Sequence, residues 1–177
     1  MYKCSEARME DKIKTFSKFG DAGHGGITRY SLSDAAISAR NEFIKRMTAI
    51  GAEIVTDDLA NVHVYSVKTG GNYDGILGLM SAMEVLETVA QQNIPHKHPL
   101  TAMIWTNEEG SLYPPAMMCS GIVCYDYLPE DIRVKFKKED MLNSKSILDG
   151  KSPFGEALEK SGFIGDEKNR LSPDKYM

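Results

Sequence analysis

The chain has 177 residues, 42% of them apolar and 26% charged, which is enough for one domain of ordinary size and short for two. That balance excludes a collagen-like, low-complexity or wholly disordered chain. A net charge of -4, from 21 basic and 25 acidic residues with no basic block, makes the chain a poor binder of nucleic acid or of anionic membranes.

No apolar run reaches the roughly 18 residues that a membrane span needs. The longest candidate, Ile76 to Val85, is broken by Ser81 and Glu84. Met1 to Gly20 carries Glu6, Glu10 and Asp11 and no apolar segment, so no secretory signal is expected. The cysteines are Cys4, Cys119 and Cys124. A sparse, odd set points to reduced thiols and a cytoplasmic protein rather than a disulfide framework.

Residues 6 to 19 read as a short amphipathic helix, with Met9, Ile13 and Phe16 along one face. The glycine-rich stretch Gly20 to Gly26 then reads as a loop. Phosphate cradles of this kind lie between a strand and a helix, and here a helix precedes the loop, so phosphate binding is not expected. Ser33 suits an N-cap, with Asp34 in the first turn of a helix through Ala36, Ile37, Phe43, Ile44, Met47 and Ile50. Gly51 stands where a C-cap glycine belongs.

Two strands are expected over Ala52 to Thr56 and Asn61 to Val67, with Asp57-Asp58 in the turn between them. Residues 68 to 73 read as a loop. A second helix is predicted from Gly75 to Gln92, with Ile76, Leu77, Met80, Met83, Val85, Leu86 and Val89 inward. Leu100 to Thr106 is a nearly continuous apolar run, as expected of a strand buried on both faces. Met117 to Tyr127 is apolar, residues 129 to 152 are charged and turn-rich, and Pro153 to Ser161 reads as a short helix ended by Gly162. The polar end from Gly165 is expected to fray. The order helix, strand, strand, helix, strand predicts an α/β layered domain.

In open α/β sheets ligands bind beyond the carboxyl ends of the strands. Asn107-Glu108-Glu109-Gly110 follows the buried strand directly, and Asp74-Gly75 opens the second helix. Adjacent side chains on a turning backbone diverge. One glutamate can then bind a metal while the other takes a proton from a metal-bound water. Composition alone favours the plainer reading, a solvated pair of loop charges.

The histidines do not complete a site. His96 and His98 precede the strand that delivers Glu108, roughly 20 Å away at the rise of an extended chain. His63 lies within a strand and reads as a packed or edge residue, and His24 in the glycine loop stays open. Cys119 and Cys124 lack zinc-knuckle spacing and read as buried structural thiols.

Four segments occur in a telling order: Gly25-Gly26-Ile27-Thr28-Arg29, Asn72-Tyr73-Asp74-Gly75-Ile76-Leu77-Gly78, Trp105-Thr106-Asn107-Glu108-Glu109-Gly110-Ser111 and Pro115-Ala116-Met117-Met118-Cys119-Ser120-Gly121. Together they resemble the N-carbamoyl amino-acid hydrolase, β-ureidopropionase and allantoate amidohydrolase group. That group lies within the aminoacylase/carboxypeptidase-like two-metal hydrolases. Leu148-Asp149-Gly150 with Phe154 to Leu158 resembles the family's linker, so the likeness covers about residues 10 to 165. It replaces the loop-pair reading of Glu108-Glu109.

The resemblance implies a three-layer αβα metallohydrolase catalytic domain, of which residues 1 to 165 would be the N-terminal part and 166 to 177 a frayed tail. It implies two divalent metal ions, zinc or manganese, bridged by Asp74 and ligated by Glu109, with Glu108 as general base. It implies a small ureido or linear amide substrate, attacked at its carbonyl by water. With N-carbamoyl substrates the products are carbon dioxide, ammonia and an amino acid.

The chain also departs from the family's pattern. The family's Gly-Ser-His-x-Asp segment is absent where Val67-Lys68-Thr69-Gly70 runs into Gly71-Asn72-Tyr73-Asp74, so a segment is expected to be missing near 68 to 72. The downstream His-x-Glu-Gln-Gly motif, the final ligand histidine and the dimerising lid domain have no counterpart. Leu112 stands where the family usually has arginine. The expectation is a truncated, internally deleted relative that does not catalyse alone. The alternatives are metal ligands supplied by His24, His63 or a partner chain, a degenerate paralogue acting as a binding module, and a gene fragment without a role.

Overall fold

Ser5 starts the first helix by accepting the Arg8 N–H on its hydroxyl at 3.3 Å, and Glu6 puts a negative charge in the first turn. Helix α1 runs Glu6–Phe16. In this computed structural model residues 3–23, 27–66, 75–172 and 174 are described, residues 63–66 and 75–77 by their backbone alone. Asp74, His24 and the 68–72 segment lie outside the described residues. The described chain divides into two compact units. One comprises Met1–Arg29, Asp34–Val55 and His63–Ile104, the other Tyr30–Ser33, Thr56–Val62 and Trp105–Met177.

In the first unit, α1 buries Lys12 and Phe16, while Ile13 is 44% exposed and Met9 is half-buried. The expected stripe of Met9, Ile13 and Phe16 is therefore turned toward Lys12. The cause lies on helix α3, Gly75–Gln91. Its Glu84, Glu87 and Thr88 are buried, whereas Val85, expected inward, is exposed. Lys12 Nζ donates to Glu84 Oε2 at 2.8 Å and to Glu87 Oε2 at 2.6 Å. The Arg8 guanidinium donates to Glu84 Oε1 at 2.6 Å and Thr88 Oγ1 at 2.9 Å, and the Ser5 N–H to Glu84 Oε1 at 2.5 Å. Every oxygen of Glu84 is thus satisfied, the condition on which a charge can leave water. Helix α3 also packs on strand β3, Leu100–Ile104, with Met80, Met83 and Leu86 as its buried apolar residues.

Helix α2, Asp34–Ala49, buries Ala39, Phe43 and Met47 at four-residue spacing. It ends as predicted at Gly51, whose φ of +81° is left-handed. The Gly51 N–H reaches the Thr48 carbonyl at 2.9 Å and the Ala52 N–H the Met47 carbonyl at 3.1 Å, the paired bonds of a Schellman cap. Strands β1 (Glu53–Thr56) and β2 (Val62–Ser66) fall inside their predicted ranges. With β3 they form a sheet in the order β1-β2-β3. The short turn from Asp57 to Asn61 makes β1 and β2 antiparallel, since a parallel pair needs a longer crossover. Strand β3 alternates buried and half-buried residues rather than being buried on both faces, and it stops at Ile104. The chain is of the α/β class expected.

The second unit closes around Leu59, Leu112, Tyr113, Met118, Cys119, Ile122, Phe136, Phe154 and Leu158. Helix α4, Met118–Val123, lies so near Phe136 that a Cβ on Gly121 would overlap its ring. Residues 129 to 152, expected to be turns, hold helices α5 (Glu130–Arg133) and α6 (Lys138–Leu142), followed by α7 at Phe154–Lys160. Their single buried anchors, Phe136 just after α5 and Met141 in α6, give no readable period.

The turn between β1 and β2 is the framework of this unit. Asp57, fully buried, accepts the Leu59 and Asn61 N–H groups at 3.0 Å each and the Asn61 side-chain amide at 3.0 Å. Asn61 Oδ1 in turn accepts the Thr106 N–H at 2.8 Å, and Thr106 Oγ1 donates to the Ala60 carbonyl at 2.8 Å. Residues 166 to 170, expected to fray, are tied to the same turn. Arg170 holds Asp58 with two bonds of 2.7 Å, Asn169 Nδ2 reaches the Thr56 carbonyl at 3.0 Å and the Gly165 N–H the Asp57 carbonyl at 2.8 Å. A bidentate arginine is among the stronger charged contacts. Burial works against the Asp58 carboxylate, yet Arg170 and Lys138 hold its pKa below the ordinary value.

Two predictions follow from these networks. Replacing Lys12 with alanine strands two buried carboxylates and should cost about 3–5 kcal/mol, read by urea unfolding. Burial alone would raise the Glu84 carboxyl, but Arg8, Lys12 and the Ser5 N–H outweigh it and hold it at about 2 against an ordinary 4.5. Glu84 therefore stabilises the fold fully above its unfolded pKa, and that stability is lost as pH falls from 4.5 through about 2. The wild type should lose stability steeply across this window, and Glu84→Gln should show a shallower loss. In the second unit, Asn61→Ala leaves the Thr106 N–H and Asp57 Oδ2 without this partner in a dry place. About 1–3 kcal/mol per orphaned group is expected, seen as a lower urea midpoint with an unchanged slope.

Candidate functional site

Beyond β3 the chain runs through Trp105 and the Asn61-held Thr106 to Asn107. Asn107 is left-handed at φ +54°, a region that asparagine tolerates better than most residues. Its N–H donates to Ser31 Oγ at 3.0 Å and its side-chain amide to the Tyr113 carbonyl at 2.6 Å. Asn107 is 3% exposed, and its Oδ1 has no hydrogen-bond partner among the described residues. Gly110, at φ +62°, closes the turn against the Ala116 backbone, where a Cβ would overlap.

This turn separates the two glutamates. Glu108 is half-buried and Glu109 exposed, the divergence expected of neighbours on a turning backbone. The Glu108 carbonyl accepts the Met117 N–H at 2.6 Å. Its Oε2 accepts the Ser120 hydroxyl at 2.9 Å. Cys124 follows Ser120 by one helical turn, and its N–H reaches the Ser120 carbonyl at 2.9 Å. Burial, and then the charge of Glu108, push the Cys124 thiol above its ordinary pKa. Glu108 therefore faces the side of α4 that carries Ser120 and Cys124. Both lay in segments that the sequence reading treated as apolar or structural. Ser120 even stands inside one of the quoted motifs, but a serine there announces no partner until the fold brings Glu108 to it.

The other predicted residues are more dispersed. Asp74 and His24 lie outside the described residues, and His63 is described by its backbone alone. His98 is exposed, and the His96 ring sits 2.6 Å from the Ile94 carbonyl, as befits a loop. Cys119 is fully buried as expected, Cys124 only half so, and all three cysteines are free thiols. Leu112 packs into the core of its unit. Among the described residues no three His, Cys, Asp or Glu gather as a metal-holding group. Hydrolytic zinc typically takes three protein ligands. Glu109 alone, exposed, does not make such a site, so the described donors do not fit the metal pair that the resemblance implies.

No protein-family model matches the chain. It is 29% identical over 179 residues to an N-carbamoyl-L-amino-acid amidohydrolase of Rhizobium meliloti, covering 91% of this chain and 40% of that protein. It is 25% identical to an allantoate amidohydrolase of Bacillus subtilis, covering 88% of this chain and 42% of the relative. A solved hydantoinase/carbamoylase family amidase from Burkholderia vietnamiensis superposes with a TM-score of 0.77 at 28% identity, over 93% of this chain and 42% of that one. The chain thus spans about two fifths of the length of the relatives it matches. It is homologous to the N-carbamoyl-L-amino-acid and allantoate amidohydrolases and has the fold of the hydantoinase/carbamoylase family amidases.

Proposed function

We propose that this chain carries the general-base part of an amidohydrolase acting on the C–N bonds of linear amides, and that it does not turn them over by itself. The substrate class is N-carbamoyl amino acids, ureidopropionate or allantoate-like ureido compounds, in keeping with the names of its relatives. The observation that carries the reading is Glu108 at the carboxyl end of β3, with its carboxylate accepting from Ser120 on a chain that aligns to these hydrolases.

In the proposed reaction water attacks the ureido carbonyl carbon while Glu108 takes the proton that the water loses. The proton then goes to the departing nitrogen. An N-carbamoyl amino acid plus one water yields the amino acid, carbon dioxide and ammonia. A half-buried carboxylate with one fixed hydrogen bond keeps its second oxygen for this transfer.

Asp74 and Glu109 are proposed as the carboxylates directed at a metal pair, zinc or manganese. Two carboxylates fall short of the histidine-containing ligand sets of hydrolytic zinc, which supports the reading that this chain is inactive alone. The three free thiols support a reducing, cytoplasmic setting. No helix among the described residues is long and apolar enough to cross a membrane. No nucleic-acid partner is proposed, and the family's homodimer contact is proposed to be missing.

The purified protein, supplied with zinc or with manganese, should release no ammonia from N-carbamoyl-β-alanine above background. It should also retain less than one equivalent of metal through gel filtration. Turnover well above background that disappears in Glu108→Gln would overturn the inactivity and keep the base. Turnover untouched by that substitution would overturn the role of Glu108.

A further inference from the structure

We infer that Ser120 is a positioning residue for Glu108, tethering its carboxylate over the face of α4 that Cys124 shares. The inference goes one step beyond the reading of Glu108 as the proton acceptor and takes its meaning from that reading. Ser120 Oγ lies 2.9 Å from Glu108 Oε2 and 3.1 Å from the Met117 carbonyl. A hydroxyl has one proton, and an ionised carboxylate is the stronger acceptor. The backbone at the same point is held separately by the Met117 N–H on the Glu108 carbonyl. Main chain and side chain are therefore fixed by different groups of one short segment, 117–120, and Ser120 fixes only the side chain.

A glutamate at a strand's end has three rotatable bonds and, half-buried, a choice between protein and water. One directed hydrogen bond removes most of that choice. Holding a base within a narrow range of positions is worth more to a reaction than the small stability of the bond itself. Ser120 touches neither substrate nor reacting atoms. It acts through the carboxylate.

Cys124 provides a readout that needs no turnover. Its thiol senses the Glu108 charge, and thiolate fraction sets its alkylation rate. Iodoacetamide labelling of the intact chain, mapped to the Cys124 peptide across pH, would be compared in wild type, Glu108→Gln, Ser120→Ala and Ser120→Thr. Removing the charge in Glu108→Gln should lower the pH midpoint. Releasing the carboxylate to water in Ser120→Ala should lower it in the same direction, with labelling about threefold faster at neutral pH. Ser120→Thr keeps the hydroxyl and should label as wild type.

A wild-type midpoint in Ser120→Ala overturns the inference, as does a wild-type midpoint in Glu108→Gln. Faster labelling at every pH with an unmoved midpoint would show a merely loosened helix and overturns it too. Because the measurement is independent of catalysis, a failed base assignment would appear in the ammonia assay alone, with the tether intact.

Discussion

A single buried amide, Asn61, connects the turn after β1 to the backbone two residues before Glu108. Neither end of that link tolerates its loss easily. Asp57 is a fully buried carboxylate that accepts two backbone N–H groups and the Asn61 amide. Thr106 is a backbone donor with no water to turn to. Desolvated polar groups of this kind are held because leaving any one unmatched costs more than making the bond returns. The consequence is a fixed departure point for the segment that follows. Asn107 then turns left-handed, Gly110 closes the turn, and the glutamates separate into a half-buried and an exposed one.

The first unit solves a different problem with charges. Its two helices, α1 and α3, meet through Lys12, Arg8, Glu84, Glu87 and Thr88. Apolar residues of equal volume would hold such a seam at least as tightly. What ions add is register: Lys12 reaches both carboxylates only where α1 sits at one height against α3, and sliding by a turn would leave all of them unmatched. The salt bridges at the surface, such as Lys160 with Glu156, have no such leverage because water competes for them.

Much of this was legible in the sequence where periodicity and punctuation agree. The span of α2, its glycine cap and the three strands follow from four-residue spacing, Gly51 and runs of β-branched residues. The order of motifs around Glu108 identified the relatives, and the position of that glutamate at the end of β3 follows from the sheet. The rest was hidden for stated reasons. A lysine inside α1 reads as solvent-facing until two glutamates from a distant helix surround it, so Ile13 and Val85 were placed inward. The short helices between residues 129 and 152 bury about one side chain each, below what a periodic pattern can show. Arg170 looks like part of a polar tail until Asp58 is brought beside it. Ser120 belongs to the same class, since long-range pairs leave no local mark.

The groups that hold Glu108 have a further property in common. Ser31 and Asn61 hold the approach to it, Met117 its backbone and Ser120 its side chain. None of these is a residue that would bind a metal. The base is therefore positioned by neutral hydrogen bonds within one unit, and its geometry does not depend on cations bound at Asp74 or Glu109. This decouples two things that an active two-metal hydrolase needs together. A chain can lose donors for the metals and still keep the base in place, because the interactions that stabilise the fold are the ones that aim it. Good geometry at Glu108 is accordingly a statement about folding and ancestry, and the proposal of inactivity rests on the separate matter of how many donors stand around Glu109.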